Sequence, residues 1–507
     1  MQTAPILGID FGTTNTAAAF FDAAGKLRLV RVNEKSFVLP SVVWFHGKGK
    51  ALVGHSARTQ IIEDPRHTVF GAKRFLGRRF QSHFVATHRD RFAFELAEGP
   101  DGYTAVRMHD ALTPLVEVAY LVLAQILTLA NHTAGLKFKE CVLTVPAHAS
   151  IRQREAIRLA AKKAGLAVRA IINEPTAAAL YYANLRNPEQ TVLVFDLGGG
   201  TLDATLMSVQ NRRVRVLATG GDAFLGGSNF DEAIVEALVD RFQKEHGVDL
   251  RGNKIVMQRL VFAAETAKIS LSKTDLAVIR VPCVAQRGAE FIDFEYTLDR
   301  EELEKILEPL IERAAATCDD VLGRAGVEAG QVDELVLVGG QTRTPAIRAR
   351  LSNFKRISSD KDVNPELGVA VGAAVLGRNL ARGVTGLEDV VPMSISVMMP
   401  GGRTQEVIPS NSAVPCVKGM KLLDLPPSQK PVPVAIFEAV ERASLERELL
   451  GTFSIPLEWR VAQASRGGTP ALELSMGRDF VLSARLLSVN GDALPVEIVD
   501  AKPQARP

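Results

Sequence analysis

Val192 to Leu206 reads VLVFDLGGGTLDATL. An apolar, β-forming run ends on one aspartate, three glycines follow, and a threonine opens a second apolar run, the pattern of strand, tight turn and strand. Near the N-terminus, Ile6 to Phe20 reads ILGIDFGTTNTAAAF and repeats that plan. In such a turn glycine permits positive φ and removes side chains that would block close approach, so amide N–H groups can face a polyanion. Glycine and aspartate also favour plain hairpins, and either stretch alone would bear that reading equally well. Two copies separated by nearly one domain length favour duplication, with the turns facing each other across a cleft and gripping one phosphate chain from both sides.

The hydroxyls of Thr13, Thr14 and Thr201 can add hydrogen bonds to phosphate, and Asp10 and Asp196 at the strand ends can hold a hydrated magnesium ion. A third glycine pair, Gly339 and Gly340 in DELVLVGGQTRTPAIRARL, lies between an apolar strand and a helix. There the backbone could approach a flat base, or simply turn from strand to helix.

The 507 residues exceed one ordinary hydrophobic core, so two or more domains are expected. With 47% hydrophobic and 23% charged residues the composition is that of a soluble globular protein. A formal charge of +3, spread without a basic block, gives no electrostatic case for nucleic acid or an anionic membrane as partner. Cys141, Cys283, Cys318 and Cys416 lie far apart with no CxxC, which points to a reducing cytoplasm rather than a disulfide framework. The start lacks the charged flank and long apolar core of a signal peptide. Ala111 to Ala130 is near membrane-spanning length but contains Pro114, Glu117 and Gln125, and reads as a buried domain helix.

Residues 1–382 alternate β-rich runs with helical patterns, as in CVLTVPA followed by RQREAIRLAAKKAGL, and read as α/β. Residues 383–391, with two glycines and no helical period, read as a linker. Residues 392–507 hold short alternating runs such as VPVAIFEA and ALELSM between Pro- and Gly-rich stretches, and read as a small all-β domain.

GIDFGTTN, KRFLGR, VPA with REA, INEPTAAAL, FDLGGGTLD, GDAFLGG, ETAKISLS, LVGGQTR and NPELGVAVGAA follow one another in this order. The series resembles the seventy-kilodalton heat-shock (DnaK-type) chaperones over about Ile6 to Leu380. The resemblance implies an actin-like, two-lobed ATPase domain of duplicated α/β subdomains, followed by a β-sandwich substrate domain. Lys73 matches the family's catalytic lysine, Glu174 a carboxylate near the attacking water, and Asp10, Asp196 and Asp203 the acids around magnesium and bound monovalent cations such as K+. Thr201 joins Asp10, Lys73, Glu174 and Asp196 as the residues expected to carry hydrolysis of ATP to ADP. Gly12, Thr13, Thr14, Asn15, Gly198, Gly199 and Gly200 match the phosphate turns, with Gly226 and Gly227 behind them. By the same resemblance Glu265, Lys268 and Ser272 contact ribose and base, Arg343 lies against adenine, and Gly339 and Gly340 complete that pocket. Pro146 and Arg154 match residues that relay nucleotide state toward the linker.

Taken singly, Lys73 could be solvated surface, Glu174 a first-turn acid on the helix dipole, and Pro146 a strand terminator. This chain departs from the family where Ser228 and Asn229 replace two carboxylates, where His148 and Ala149 replace an aromatic pair, and where the linker keeps only Leu387 before Asp389. Val397, Leu422, Val432, Val434 and Leu472 could line an apolar peptide groove, or equally face the sandwich core. No helical lid is expected after the sandwich, so bound peptide should leave faster. The expected function is an ATP-hydrolysing DnaK-type chaperone for unfolded or extended polypeptides, working with a J-domain co-chaperone and a nucleotide exchange factor. The alternative is an ATP-switched interaction protein serving one partner. A sugar kinase or an actin-like filament would share the two hairpins but leave the β domain unexplained.

Overall fold

The chain is described here by a computed structural model covering residues 5–47, 49–186, 189–210, 213–358, 364–384, 387–399, 402–422, 430–439, 447–464 and 469–499. It divides into two compact units, Met1–Ala147 with Ala156–Gly386, and His148–Glu155 with Leu387–Pro507.

Two sheets of like plan organise the first unit. In one, the order is Ala167–Asn173, Glu140–Val145, Leu7–Phe11, Asn15–Phe21, Leu27–Leu29, with Val38–Pro40 also pairing with Asn15–Phe21. In the other, Glu334–Val338, Gln190–Leu197, Leu202–Gln210 and Arg213–Asp222 lie side by side. Each quoted stretch is thus an antiparallel hairpin flanked by a parallel strand: Leu7–Phe11 runs parallel to Glu140–Val145, and Gln190–Leu197 parallel to Glu334–Val338. The parallel strands are buried almost from end to end, as strands covered on both faces must be, which is why they read as apolar runs. This is the duplicated two-lobed α/β architecture expected from the sequence.

Helices cover the sheets. Arg300–Ala325 begins on Asp299, whose carboxylate accepts from the Glu302 amide at 2.7 Å, carries Glu301 and Glu302 in its first turn, and ends on left-handed Gly326. Its inner face joins Phe230, Phe242 and Leu271 in the core of the second lobe. Leu115–Ala134 is long and apolar enough to cross a membrane by length and composition. Leu115, Val118, Val122, Leu123 and Ile126 of that helix are buried.

Gly368–Ala381 lies against Glu174–Arg186 at the junction of the halves. A Cβ on Gly372 would sit 1.7 Å from the Ala177 carbonyl oxygen, and one on Gly8 would sit 2.2 Å from the Ala374 amide nitrogen. Both contacts are backbone on backbone, so neither can be relieved by a side-chain rotation.

The second unit holds two four-stranded antiparallel sheets. One orders Thr404–Ile408, Ile395–Met398, Val432–Ala439, Arg447–Ile455, and the other Cys416–Lys421, Ala471–Met476, Leu482–Leu487, Ala493–Val496. Their apolar side chains share one core. The helix Leu457–Ala464 departs from the all-β expectation; its leucine, tryptophan and valine are too few to set a helical period against the strands around it. Leu387–Val390, within the stretch read as linker, is a strand paired with Ala413–Val414, and residues 385–386 lie outside the described residues. His148–Glu155, which the sequence reading leaves inside 1–382, clusters with this unit, because Ile151 is buried in its core and the Ile151 amide donates to the Glu438 carboxylate at 2.9 Å.

Gly372→Ala should cost roughly 3 kcal/mol or more by overpacking against immovable backbone. The expected outcome is a lower melting temperature by calorimetry; an unchanged midpoint would show that the two helices can separate freely.

Candidate functional site

The two hairpin turns meet. A Cβ on Gly199 would lie 2.0 Å from the Thr14 hydroxyl oxygen, and one on Gly200 would lie 3.0 Å from Thr13 Cγ2. The space at these positions is already filled, by the Thr14 side chain at Gly199 and by Arg74 and Thr13 at Gly200, so a larger residue would have to displace them. Between the turns runs a cleft of about 660 Å3. Its walls include Asp10, Gly12, Thr13, Thr14 and Asn15 from one hairpin and Asp196, Gly198, Gly199, Gly200 and Thr201 from the other. Glu174, Gly339 and Gly340 complete them, so segments far apart in sequence converge. Gly339 takes φ +83, and a Cβ there would meet the Leu197 carbonyl carbon and oxygen within 2.4 Å.

The charges concentrate at one end of the cleft. Lys73, only 6% exposed, donates from Nζ to Glu174 Oε1 at 2.6 Å and to the Phe11 carbonyl. Glu174 stands at the first position of Glu174–Arg186, where the helix dipole favours an anion. Thr144 donates to Asp10 Oδ1 at 3.0 Å from the neighbouring strand. Burial, then the charge of Glu174, pushes Asp10 up to about 7, against the pull of Lys73 and the Thr144 hydroxyl. Burial, reinforced by Glu174, Asp203 and Asp10, also holds Asp196 well above the usual carboxylate range. Asp203 faces Asp196 across the strand pair and accepts the Ala147 amide at 3.0 Å.

Asp10, Glu174 and Asp196 line the cleft with one ammonium beside them, leaving negative charge that a divalent cation would offset. Their donor atoms are all oxygen, the set that suits magnesium. Among the described residues no cluster of three or more His, Cys, Asp or Glu side chains is spaced to enclose a bare ion.

Gly226 and Gly227 buttress the second turn from behind. The Gly227 amide donates to the Gly198 carbonyl at 2.9 Å, and a Cβ on Gly226 would strike the Gly200 amide nitrogen. Beside them Lys268 is buried, donating to the Gly227 carbonyl at 3.0 Å and pairing with Asp231 at 2.8 Å. Glu265, one turn earlier, pairs with Arg58 of the opposite lobe at 2.9 Å. Ser272 closes that helix through a 3.3 Å bond to the Lys268 carbonyl, and Arg343 stands 3.7 Å from Glu366, a residue of the cleft wall. The side chains of Glu265, Lys268, Ser272 and Arg343 therefore gather near the cleft but do not line it.

Pro146 is buried immediately after the strand Glu140–Val145. Arg154 lies in the other unit, where it donates to the Ala149 carbonyl at 3.2 Å and stacks 4.1 Å over the Phe480 ring. The five groove candidates need correction. Val397, Leu422, Val432, Val434 and Leu472 are each at most 4% exposed in the core between the two sheets, so they present no open surface. Their strands alternate, and the apolar set faces inward.

Sequence reasoning missed Thr144, Arg58 and Asp231. Thr144 carried a signal, being polar inside an otherwise apolar run, Cys141 to Val145. Arg58 and Asp231 carried none, because their partners lie 207 and 37 residues away.

Asp231 yields a pH test. Burial pushes it up to about 6, with Lys268 the main opposing influence. The folded chain then holds this proton more tightly than the unfolded chain between pH 3.8 and 6, so the group's contribution to stability falls as pH rises through that window and is level above it. Lys268→Met takes the ammonium away and carries the carboxyl higher, so the decline continues past pH 6. The variant should lose more melting temperature, relative to the native chain, at pH 8 than at pH 5; equal losses would contradict the pairing.

Comparison with known proteins places this arrangement. A family model described as Hsp70 protein matches residues 6–479. The "Chaperone protein DnaK" of one strain of Thermus thermophilus is 38% identical over 456 residues, covering 89% of this chain and 74% of the relative. The protein of the same name from a second strain of that organism is similar to the same extent. With its duplicated sheets, facing glycine turns and a match over nearly its whole length, the chain belongs to the Hsp70 family.

Proposed function

We propose that the chain is an ATP-dependent chaperone of the DnaK type, hydrolysing ATP to ADP in the cleft of its first unit. The observation that carries this reading is the meeting of the two glycine turns beside the buried Lys73–Glu174 pair. Family membership supports ATP and ADP as ligands, magnesium as the accompanying ion, and unfolded polypeptides and co-chaperones as partners.

Phosphoryl transfer to water asks for positioning and charge stabilisation rather than covalent chemistry. The amides of both glycine turns and the hydroxyls of Thr13, Thr14 and Thr201 hold the phosphate chain. Magnesium, when bound, draws charge from the phosphate oxygens. Asp10 and Asp196 would hold the magnesium, with Asp203 behind them. Lys73 neutralises charge developing on the terminal phosphate. Glu174, fixed by that ammonium and by its helix, orients the attacking water. The same acids would hold K+ as a further counter-ion.

Gly339 and Gly340 receive the base, with Arg343 at its face and Glu265, Lys268 and Ser272 closing in from the other lobe. Pro146 and Arg154 relay the nucleotide state, a J-domain co-chaperone stimulates hydrolysis, and a nucleotide exchange factor resets the cleft. The chain works in the cytoplasm. Its four cysteines are free thiols, which suits a reducing compartment.

Lys73→Ala should abolish single-turnover hydrolysis while leaving ATP binding within about an order of magnitude, since the amide cradle persists. Hydrolysis retained in this variant would overturn the role of Lys73.

A further inference from the structure

Away from the cleft, three segments of the first lobe close a ring of side chains that takes no part in the mechanism above. Asp64 stands between the short helix Gln60–Glu63 and the turn Pro65–His67. Its Oδ2 accepts the Trp44 indole N–H at 2.9 Å, and its Oδ1 accepts from His67 Nδ1 at 2.8 Å. The His67 ring stacks on His109, with centroids 3.9 Å apart and planes within 13° of parallel. His109 Nε2 completes the ring by donating to the carbonyl of Phe45, the neighbour of Trp44, at 2.9 Å.

Two observations set this ring apart from ordinary packing. His109 adopts φ +52, left-handed backbone that a residue other than glycine enters at a cost and keeps only where its surroundings impose it. The hairpin of Thr104–Met108 and Ala111–Pro114 thus carries a strained turn that sets one imidazole on another. The second observation is that both rings titrate. Each donates one N–H, so neutral His67 keeps a lone pair on Nε2 and neutral His109 keeps one on Nδ1. A charged ring is attracted to the face of a neutral one, whereas two charged rings repel.

Asp64 answers one positive charge. Burial would raise it, but the bonds from Trp44 and His67 and the charges of His67 and His109 outweigh burial and hold the carboxyl below its usual range. On the turns beside it, Glu63 is held by Gln60 and Arg66 is exposed. On the strand pair Val43–Phe45 and Ala51–Val53, His46 tilts against Trp44 at 5.0 Å and Lys50 is exposed. On the hairpin, Arg107 is paired with Glu95, and Asp110 is exposed with no ion pair among the described residues. From the helices packed on these strands come exposed His55, Arg58 held by Glu265, and Glu117 held by Lys163. The ring also anchors the segment that reaches the second lobe. Thr68 donates to the Asp64 carbonyl at 2.7 Å and to the Gln60 carbonyl at 3.1 Å, while the Ile61 carbonyl accepts from Gln258 and Arg58 pairs with Glu265.

We infer that Asp64, His67 and His109 form a proton-sensitive clasp. Imidazole changes charge near pH 6.5, and a second proton on the stacked pair separates the rings and frees the hairpin turn from Pro65–His67. Residues 58–61 then lie more loosely against the other lobe, so acid favours an open cleft. The clasp works without nucleotide and goes beyond the ATPase reading.

The chain has two tryptophans, Trp44 and Trp459, so full-length protein carrying Trp459→Phe leaves the Trp44 indole as reporter of its bond to Asp64. Its emission is followed from pH 8 to pH 5, with His109→Asn, His67→Gln and His46→Gln each made in that background; asparagine keeps the left-handed turn. Hydrogen exchange, corrected for the pH dependence of unstructured amides, is read over residues 58–68 and Lys254–Leu271. With its histidines intact the chain should show a step in emission near pH 6.5 and a rise in exchange of about fivefold, the factor for two unit charges 4 Å apart in water. Both should vanish in His109→Asn and His67→Gln and persist in His46→Gln. A flat titration, a step that survives both stack variants, or one lost only in His46→Gln would overturn the clasp. Exchange that stays level across Lys254–Leu271 while the step is present would overturn its link to the second lobe. The exchange step in the unsubstituted chain is read without any variant, so a misfolded variant does not shield the inference.

Discussion

A single lysine ammonium holds together a pocket in which three carboxyl groups have been taken out of water. Lys73 and Glu174 touch at 2.6 Å, and Asp10 and Asp196 crowd the same space. Breaking a buried pair of this kind by removing one member typically costs about 3–5 kcal/mol, because the other charge is left uncompensated. The cluster carries an excess of acid over the one ammonium, which a divalent cation would offset. Burial first, and the neighbouring acids after it, raise the affinity of Asp10 and Asp196 for protons.

The duplicated topology exists to deliver these groups to one place. Each central hairpin is flanked by a parallel strand, and in each half the aspartate sits near the end of the first hairpin strand. The ends of strands are where backbone amides come free and where a polar side chain can reach a ligand without breaking the sheet. Helix Gly368–Ala381 packs so tightly on Ala177 and on the strand Leu7–Phe11 that glycine alone fits at the contacts. Since Ala177 lies one turn beyond Glu174, this contact also fixes the carboxylate beside Lys73. The lobes are further tied by Arg58–Glu265, and by Gln258, which donates to the Ile61 carbonyl at 2.9 Å.

The glycine turns and their aspartates were legible in the sequence because their chemistry is local. A hairpin announces itself by strand, glycine and strand, and two copies announce a cleft. Lys73 and Glu174 were legible only through the family resemblance: nothing about an isolated lysine in GAKRFLGRR says that it will be 6% exposed. Thr144 stood out as polarity within an apolar run. Arg58 and Asp231 were not legible, because each acquires meaning from surroundings that only the tertiary fold brings near. Ser228 was readable as a missing acid, but its hydrogen bond to the Gly199 carbonyl appears only in three dimensions.

The β unit shows where periodicity stops being informative. In Val432–Ala439 burial alternates without exception, with Val432, Val434, Ile436 and Glu438 inward. Alternation tells which residues share a face, yet a groove wall and a sandwich core demand the same apolar pattern. What decides between them is whether a second sheet covers that face. Here Ala471–Met476 and its neighbours do, bringing Leu472 and Leu474 into the core that Val432 and Val434 occupy. An apolar segment seeking those side chains would have to displace one sheet from the other.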